Sequence, residues 1–209
     1  MTTWKFYDDN ALRLFNDYQS IKFRDIFADV ESYFLASRGD ALDVGAGSGR
    51  DSAALFKMGY KVTAVEPSDN MRNLAAENHK HCDITWVNDS LPDLRKITQS
   101  LKTFDLIIVS AVWMHLSEYQ QERSLFTLFN LLSANGVMII TLRLGPAEPD
   151  RQISMVYTED LVELSKKVGL TVEHISPVNT DSFNRPSVTW QKVVLSKKTL
   201  HKCHYSHSP

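Results

Sequence analysis

The stretch that most restricts this chain is ALDVGAGSGRD, residues 41–51. A short apolar run, Ala41–Val44, stops at three glycines spaced one apart, and a helical pattern starts directly behind them. Glycine reaches positive φ at no steric cost and lets backbone approach a ligand closely. The helix start that follows leaves N–H groups unpaired. A strand, a glycine turn and a helix open a βαβ unit, whose ligands sit beyond the carboxyl ends of the strands. A tight turn with no ligand would use the same glycines.

The alternation continues along the chain. Asp51–Met58 carries a helical face of Ala54, Leu55 and Met58 and stops at Gly59. Lys61–Val65 reads as a second strand, and Ser68 caps a helix through Met71, Leu74 and Ala75. Ile84–Val87 is a third strand, with a weak helix near Leu91–Leu101. Phe104–Val109 is apolar on both faces, as a central parallel strand should be. Ser117 and Gln120 have capping-box spacing ahead of Leu125, Leu128, Phe129 and Leu132. Asn135–Gly136 is predicted to turn into a fifth strand, Val137–Leu142, and Thr158 to cap a helix ending near Gly169. Thr171–Ile175 and Val188–Leu195 read as a final hairpin. These elements predict an α/β fold: a doubly wound seven-stranded sheet, mostly parallel with a C-terminal antiparallel hairpin, flanked by helices. Before it, Trp4, Phe6, Tyr7, Leu12, Phe15, Tyr18, Phe23, Phe27 and Phe34 recur, many at helical spacing, predicting two amphipathic helices as an N-terminal cap. The expected division is a helical cap over 1–37, a ligand-binding domain over 38–198 and a frayed tail over 199–209.

Length and charge narrow the options. The chain has 209 residues, enough for one domain with an extension, and 23 Lys+Arg against 25 Asp+Glu for a net of −2. That balance gives no general attraction to nucleic acid. The start has no basic-then-apolar leader pattern, and no apolar run approaches a bilayer span. Cys82 and Cys203 give no disulfide framework, so a reducing cytoplasm is the expected location. His201, Cys203, His204 and His207 crowd the tail without a fixed tetrahedral pattern, and no metal site is expected.

Three details discriminate among ligands. The glycine spacing is G-x-G-x-G rather than G-x-G-x-x-G, and no Lys-Ser/Thr follows for a triphosphate loop. Asp43 stands two residues before the first glycine, where a pyrophosphate would be repelled. Glu66 ends the second strand, 17 residues past Gly49, where a carboxylate can accept both hydroxyls of a ribose. A ligand with a ribose, no phosphate and a positive charge meets all three conditions, and S-adenosylmethionine is such a ligand.

ALDVGAGSGRDSAAL followed by VTAVEPSDNM resembles motifs I and II of the class I S-adenosylmethionine-dependent methyltransferases, which have a Rossmann-like fold. The resemblance spans about residues 38–195. FDLIIVSAVWMHLS, LLSANGVMIITLRLGPAEPDR and RPSVTWQKVVL are similar to a bacterial subgroup of methyltransferase-domain proteins. The resemblance implies that Asp43 and the loop glycines hold the methionine moiety and Glu66 the ribose. The wider cofactor set it implies is Asp43, Gly45, Ala46, Gly47, Gly49, Arg50, Glu66, Pro67, Ser68, Met71, Asn88, Asp89, Ser90 and Ser110. Asp89 is the expected acceptor for the adenine amino group, with Asn88 its substitute one position earlier and the Ser90 N–H reaching the ring. Capping of the following helix is the competing role for Asp89.

The acceptor side is expected after the fourth and fifth strands. Trp113 is a candidate wall near the sulfonium through a cation–π contact, with core packing as its alternative. His115 is a candidate base, with a purely structural hydrogen bond as its alternative. Arg143 is a candidate clamp for an anionic acceptor, and Tyr7 a candidate contact to acceptor or cofactor. The stretches 143–156 and 179–187 are long enough to act as lids. The expected activity is methyl transfer from S-adenosylmethionine, leaving S-adenosylhomocysteine, to a small or medium-sized acceptor through an oxygen or nitrogen nucleophile. An NAD-type oxidoreductase and a non-catalytic S-adenosylmethionine-binding module are the alternatives. Small-molecule partners, no membrane, and a monomer or homodimer are expected. No N/D-P-P-Y/F motif follows the fourth strand to suggest a nucleic-acid base as acceptor.

Overall fold

The computed structural model describes residues 3–34 and 39–197. The proposed tail, with its three histidines and Cys203, lies outside the described residues, as do the boundaries drawn at 37/38 and 198/199. Three helices open the chain: α1 (Thr3–Asp9), α2 (Ala11–Gln19) and α3 (Phe23–Phe27), the last continued by a 3-10 segment, Ala28–Tyr33. The predicted pair of helices is therefore three, because the chain turns sharply after Asp9 and again after Gln19. The sheet elements then alternate: β1 (Asp40–Val44), α4 (Arg50–Lys57), β2 (Lys61–Val65), α5 (Asp69–Asn78), β3 (Ile84–Val87), α6 (Arg95–Gln99) and β4 (Phe104–Val109). After them come α7 (Glu118–Leu131), β5 (Leu132–Leu144), α8 (Thr158–Val168), β6 (Thr171–Ile175), β7 (Asn179–Thr180) and β8 (Thr189–Ser196).

The strand order is β3-β2-β1-β4-β5-β8-β6, with the two-residue β7 added against β8. β1 to β5 are parallel, and β8 runs antiparallel between β5 and β6. The expected hairpin thus opens so that its second strand inserts next to β5, and the sheet gains an eighth short strand. The order reverses between β1 and β4, which puts the mouth of a ligand site above the glycine loop.

Alternation along the strands builds two faces. Leu42, Ile107, Val109, Ile140 and Leu142 face a core closed by Leu125, Leu128 and Leu161 from α7 and α8. Ala41, Leu106, Ile108 and Ile139 face the other side, covered by Phe27, Val30, Phe34 and Leu55. A third cluster joins Ala11, Leu14 and Phe15 of α2 to Met71 and Ala75 of α5. Of the N-terminal pattern, Phe15, Phe27 and Phe34 are buried, Phe6, Tyr7, Tyr18 and Phe23 pack partly against the core, and Trp4 and Leu12 are exposed.

Helix ends follow their sequence signals where the signal is local. The Ser68 side chain accepts from Met71 N, and Ser117 with Gln120 closes both bonds of a capping box. Gly59 and Gly169 take positive φ behind α4 and α8. Thr158 does not cap α8: it is the first helical residue, behind Tyr157, and its hydroxyl donates to Gln191 Oε1 at 2.6 Å. β5 begins directly from α7, and Asn135, at φ 63°, lies inside it rather than before it.

Candidate active site

The glycine loop closes against β2. Gly45 N and Ala46 N donate to Val65 O at 2.8 and 2.9 Å, and Gly47 N donates to Glu66 Oε2 at 2.8 Å. Each glycine has a positive φ, for different reasons. A Cβ on Gly45 would lie 2.3 Å from Val112 Cγ2, and one on Gly49 would lie 2.7 Å from Trp86 and 2.8 Å from His79. Around Gly47 the nearest atoms are 3.9 Å away, so its missing side chain leaves open space. Gly49 therefore serves packing, and it does not border the cavity.

Above the loop lies a cavity of about 890 Å³, bordered by Gly45, Ala46, Gly47, Arg50, Glu66 and Pro67 among the expected residues. Met71, Asp89, Ser90 and Ser110 also border it, and so do Tyr7, His115 and Arg143 from the acceptor set. Ser68 stands behind the wall, holding the α5 N-terminus and donating its hydroxyl to Asp8 at 2.6 Å.

Glu66 is buried, and burial pushes its carboxyl up to about 7, against backbone bonds from Ser68 and Gly47 that favour the charge. Each oxygen accepts a single N–H, from Gly47 and from Ser68 at 2.9 Å, so each keeps a free lone pair. Asp43 is deeper. Its Oδ2 accepts from Ser52 Oγ at 2.6 Å while its buried Oδ1 has no partner. Burial raises its pKa, and the nearby Asp51 carboxylate adds to the shift.

Several expectations need correction. Asp89 caps α6 with both oxygens: Oδ1 accepts from Ser90 N and Arg95 N, Oδ2 from Lys96 N and Ile97 N, at 2.7–3.2 Å. With four lone-pair sites taken, its carboxylate has none left for an adenine amino group. Asn88 points away, donating to Asp69 at 3.1 Å, and does not border the cavity. Trp113 is 1% exposed within the core under α7 and does not reach the cavity, so the cation–π role falls to the packing alternative. The reason is positional. A 3-10 turn, Trp113–His115, sends Trp113 inward and turns His115 out.

His115 meets Tyr7 from α1. Its Nδ1–H donates to Gln152 O at 3.2 Å, which leaves Nε2 to accept from the Tyr7 hydroxyl at 2.8 Å. Burial lowers His115 to about 4, so the ring is neutral near pH 7. Burial likewise raises the Tyr7 phenol, whose oxygen also accepts from Arg151 Nη2 at 3.4 Å. The Nε2 of the histidine is thus engaged by the tyrosine.

Sequence reasoning missed the far wall. Arg151 and Glu148 come from the first lid stretch, and Asp181, Arg185 and Trp190 from the second stretch and β8. The Asp181 carboxylate accepts from Arg185 Nη2 at 2.7 Å and from Trp190 Nε1 at 2.8 Å. Burial would raise its pKa, yet the bonds from Arg185 and Trp190 hold it below the ordinary carboxylate range. Loop length was the available signal; the pairing between loops has no sequence signature. Among the described residues, no group of three or more His, Cys, Asp or Glu is placed to hold a metal, and no helix is long and apolar enough to cross a membrane.

A parallel sheet that reverses order above a G-x-G-x-G loop, with an acid at the end of the next strand, defines the class I S-adenosylmethionine-dependent methyltransferase fold. Residues 41–136 match the family model of a methyltransferase domain. An uncharacterized methyltransferase of Alkaliphilus oremlandii is 30% identical over 104 residues, 49% of this chain and 45% of that protein. One of Staphylococcus carnosus is 28% identical over 142 residues, 65% of this chain and 64% of that protein. The chain therefore spans about half to two thirds of the length of these relatives. A TehB-like SAM-dependent methyltransferase from Corynebacterium glutamicum shares the fold at TM-score 0.66 and 21% identity, over 93% of this chain and all of that one.

Proposed function

We propose that the protein transfers a methyl group from S-adenosylmethionine to a small or medium-sized acceptor through an oxygen or nitrogen nucleophile. The observation that carries this reading is the pairing of Glu66 with the open space over Gly47 on one cavity wall. The two free lone pairs of Glu66 suit the two hydroxyls of a ribose. The unpartnered Asp43 oxygen suits a cationic ligand, which lowers the cost of a buried carboxylate beside it. A phosphate would meet Glu66 on the cavity wall, with the Asp43 carboxyl buried behind the loop. Adenine contact falls to the apolar side chains of Met71 and Leu91 on the cavity wall, because the Asp89 carboxylate and the Ser90 N–H are engaged with each other.

Held by Glu66 and the glycine loop, S-adenosylmethionine would supply an electrophilic methyl group for the acceptor's lone pair, with a neutral thioether as the leaving group. The protein's task is chiefly alignment. Tyr7 is the catalytic residue: its oxygen receives the proton leaving the acceptor atom while its own proton moves to His115 Nε2. His115 is a positioning residue held in the accepting tautomer by Gln152 O. Arg151 favours negative charge on the phenol oxygen during that exchange. Calorimetric titration with S-adenosylhomocysteine and with NAD tests the cofactor. Saturable binding of the first and none of the second is expected; the reverse overturns the reading.

A further inference from the structure

The cations on the cavity wall are matched one to one with carboxylates, with a single exception. Arg50 pairs with Asp51 at 2.7 Å, Arg185 with Asp181 at 2.7 Å and Lys192 with Asp29 at 3.0 Å. Arg143 and Arg151 have one carboxylate between them, Glu148. Arg143 Nη2 donates to Glu148 Oε1 and Arg151 Nη1 to Glu148 Oε2, the latter at 3.1 Å. The remaining bonds of the pair go to neutral groups, Pro146 O and the Tyr7 hydroxyl. The Nε atoms of both arginines are buried without any partner.

An excess positive charge at such a site is costly. Arg143 is 1% exposed, and a buried charge without a counter-charge is strongly unfavourable. Burial lowers the Arg143 pKa; Glu148 attracts the guanidinium, Asp181 does so less, and the neighbouring Arg185 and Arg151 repel it. Arg185 is already held by both oxygens of Asp181. The tyrosine offers no charge, since its phenol titrates above the ordinary range. One negative charge is missing, and an open cavity borders both guanidiniums.

Position assigns that charge to the acceptor. Glu66 ends β2 and the glycine loop ends β1, while Arg143 ends β5, three strands from β2 in the sheet order. At about 4.8 Å per strand the separation is roughly 14 Å. A cofactor anchored by its ribose at β2 and its amino-acid end at β1 stops short of β5. We propose that the methyl acceptor carries a carboxylate that docks on Arg143 and Arg151, with its nucleophile turned toward Tyr7. The inference rests on the methyltransferase reading above. Guanidinium geometry favours carboxylate recognition, and a single charge matches the single missing one.

The test uses protein saturated with S-adenosylhomocysteine and a panel of hydroxybenzoates, aminobenzoates and hydroxyphenylacetates, each beside its carboxamide. At least one carboxylate is expected to bind ten times or more tightly than its amide, by calorimetry. Arg151→Gln should erase that preference while leaving S-adenosylhomocysteine affinity within about threefold. Glu148→Gln should tighten carboxylate binding, because it removes the anion that both guanidiniums share; a purely structural role for Glu148 predicts the opposite sign. Amides that bind as well as acids, or no acid binding at all, overturn the proposal. So does loss of S-adenosylhomocysteine binding in Arg151→Gln, which would assign the pair to the cofactor's own carboxylate. Failure of wild-type protein to bind S-adenosylhomocysteine defeats the methyltransferase reading itself and is read in the absence of any carboxylate.

Discussion

The two halves of the cavity are made differently. The β1–β2 half is backbone and short range: Gly47 and Glu66 are 19 residues apart and meet through a main-chain N–H. The β5–β8 half is side chain and long range: Tyr7 meets His115 across 108 residues and Arg151 across 144. A contiguous motif can specify the first because loop, strand end and helix start follow one another along the chain. The second depends on where α1, the turn after β4 and two loops come to rest. The half proposed for the cofactor is thus written in one contiguous motif, and the half proposed for the acceptor is composed by the rest of the chain.

The sharpest way to break this comparison is at its meeting point. Tyr7→Phe keeps the ring but removes the proton route, and turnover of the true acceptor should fall by about 100-fold with cofactor affinity unchanged. His115→Ala should cost less than Tyr7→Phe, since the histidine acts through the tyrosine. An equal or larger loss would make His115 the direct base.

Glu66→Ala tests the other half. Two hydrogen bonds to a charged group, each worth about 1.5–3 kcal/mol, are removed, and S-adenosylhomocysteine affinity should fall at least tenfold in calorimetry. An unchanged affinity would remove Glu66 from the site.

The halves should also titrate differently. Folding raises Glu66 from 4.5 to about 7, so the native protein holds this proton more tightly than the unfolded chain. Its contribution to stability is present below pH 4.5 and lost as pH rises through about 7, while ribose binding needs the ionised form. Cofactor affinity should therefore fall by up to about tenfold per unit below pH 7, measured by titration. His115, lowered to about 4, should put no inflection near 6.5 into the turnover profile of the saturated enzyme.

The smallest expected effect is at Asp89. As a cap satisfying four N–H groups, its replacement by Ala should lower stability by about 1–2 kcal/mol in denaturant melts. Loss of the cap frees the Ser90 N–H and should leave adenine contact through Met71 and Leu91 largely in place. A large drop in cofactor affinity with an intact fold would restore the adenine role to the carboxylate.

Where sequence signals are local, they carried through to the fold. The glycines, the capping box at Ser117 and the apolar run of FDLIIV each concern neighbours within a few residues, where backbone sterics and side-chain period decide. Thr158 looked like a cap because only its position relative to α8 is legible; its bond to Gln191 depends on a strand 33 residues away. Trp113 and His115 sit two residues apart, and one 3-10 turn decides which faces the core.

The chain by itself determined the parallel sheet, the glycine turn and Glu66 at the end of β2, because short-range geometry and hydrophobic period leave few alternatives. Tertiary structure alone decided that Asp89 serves its own helix, that Tyr7 stands before His115, and that two arginines share Glu148. Those outcomes depend on which buried polar groups find partners once distant segments pack, and a buried charge takes whatever counter-charge the fold brings within reach.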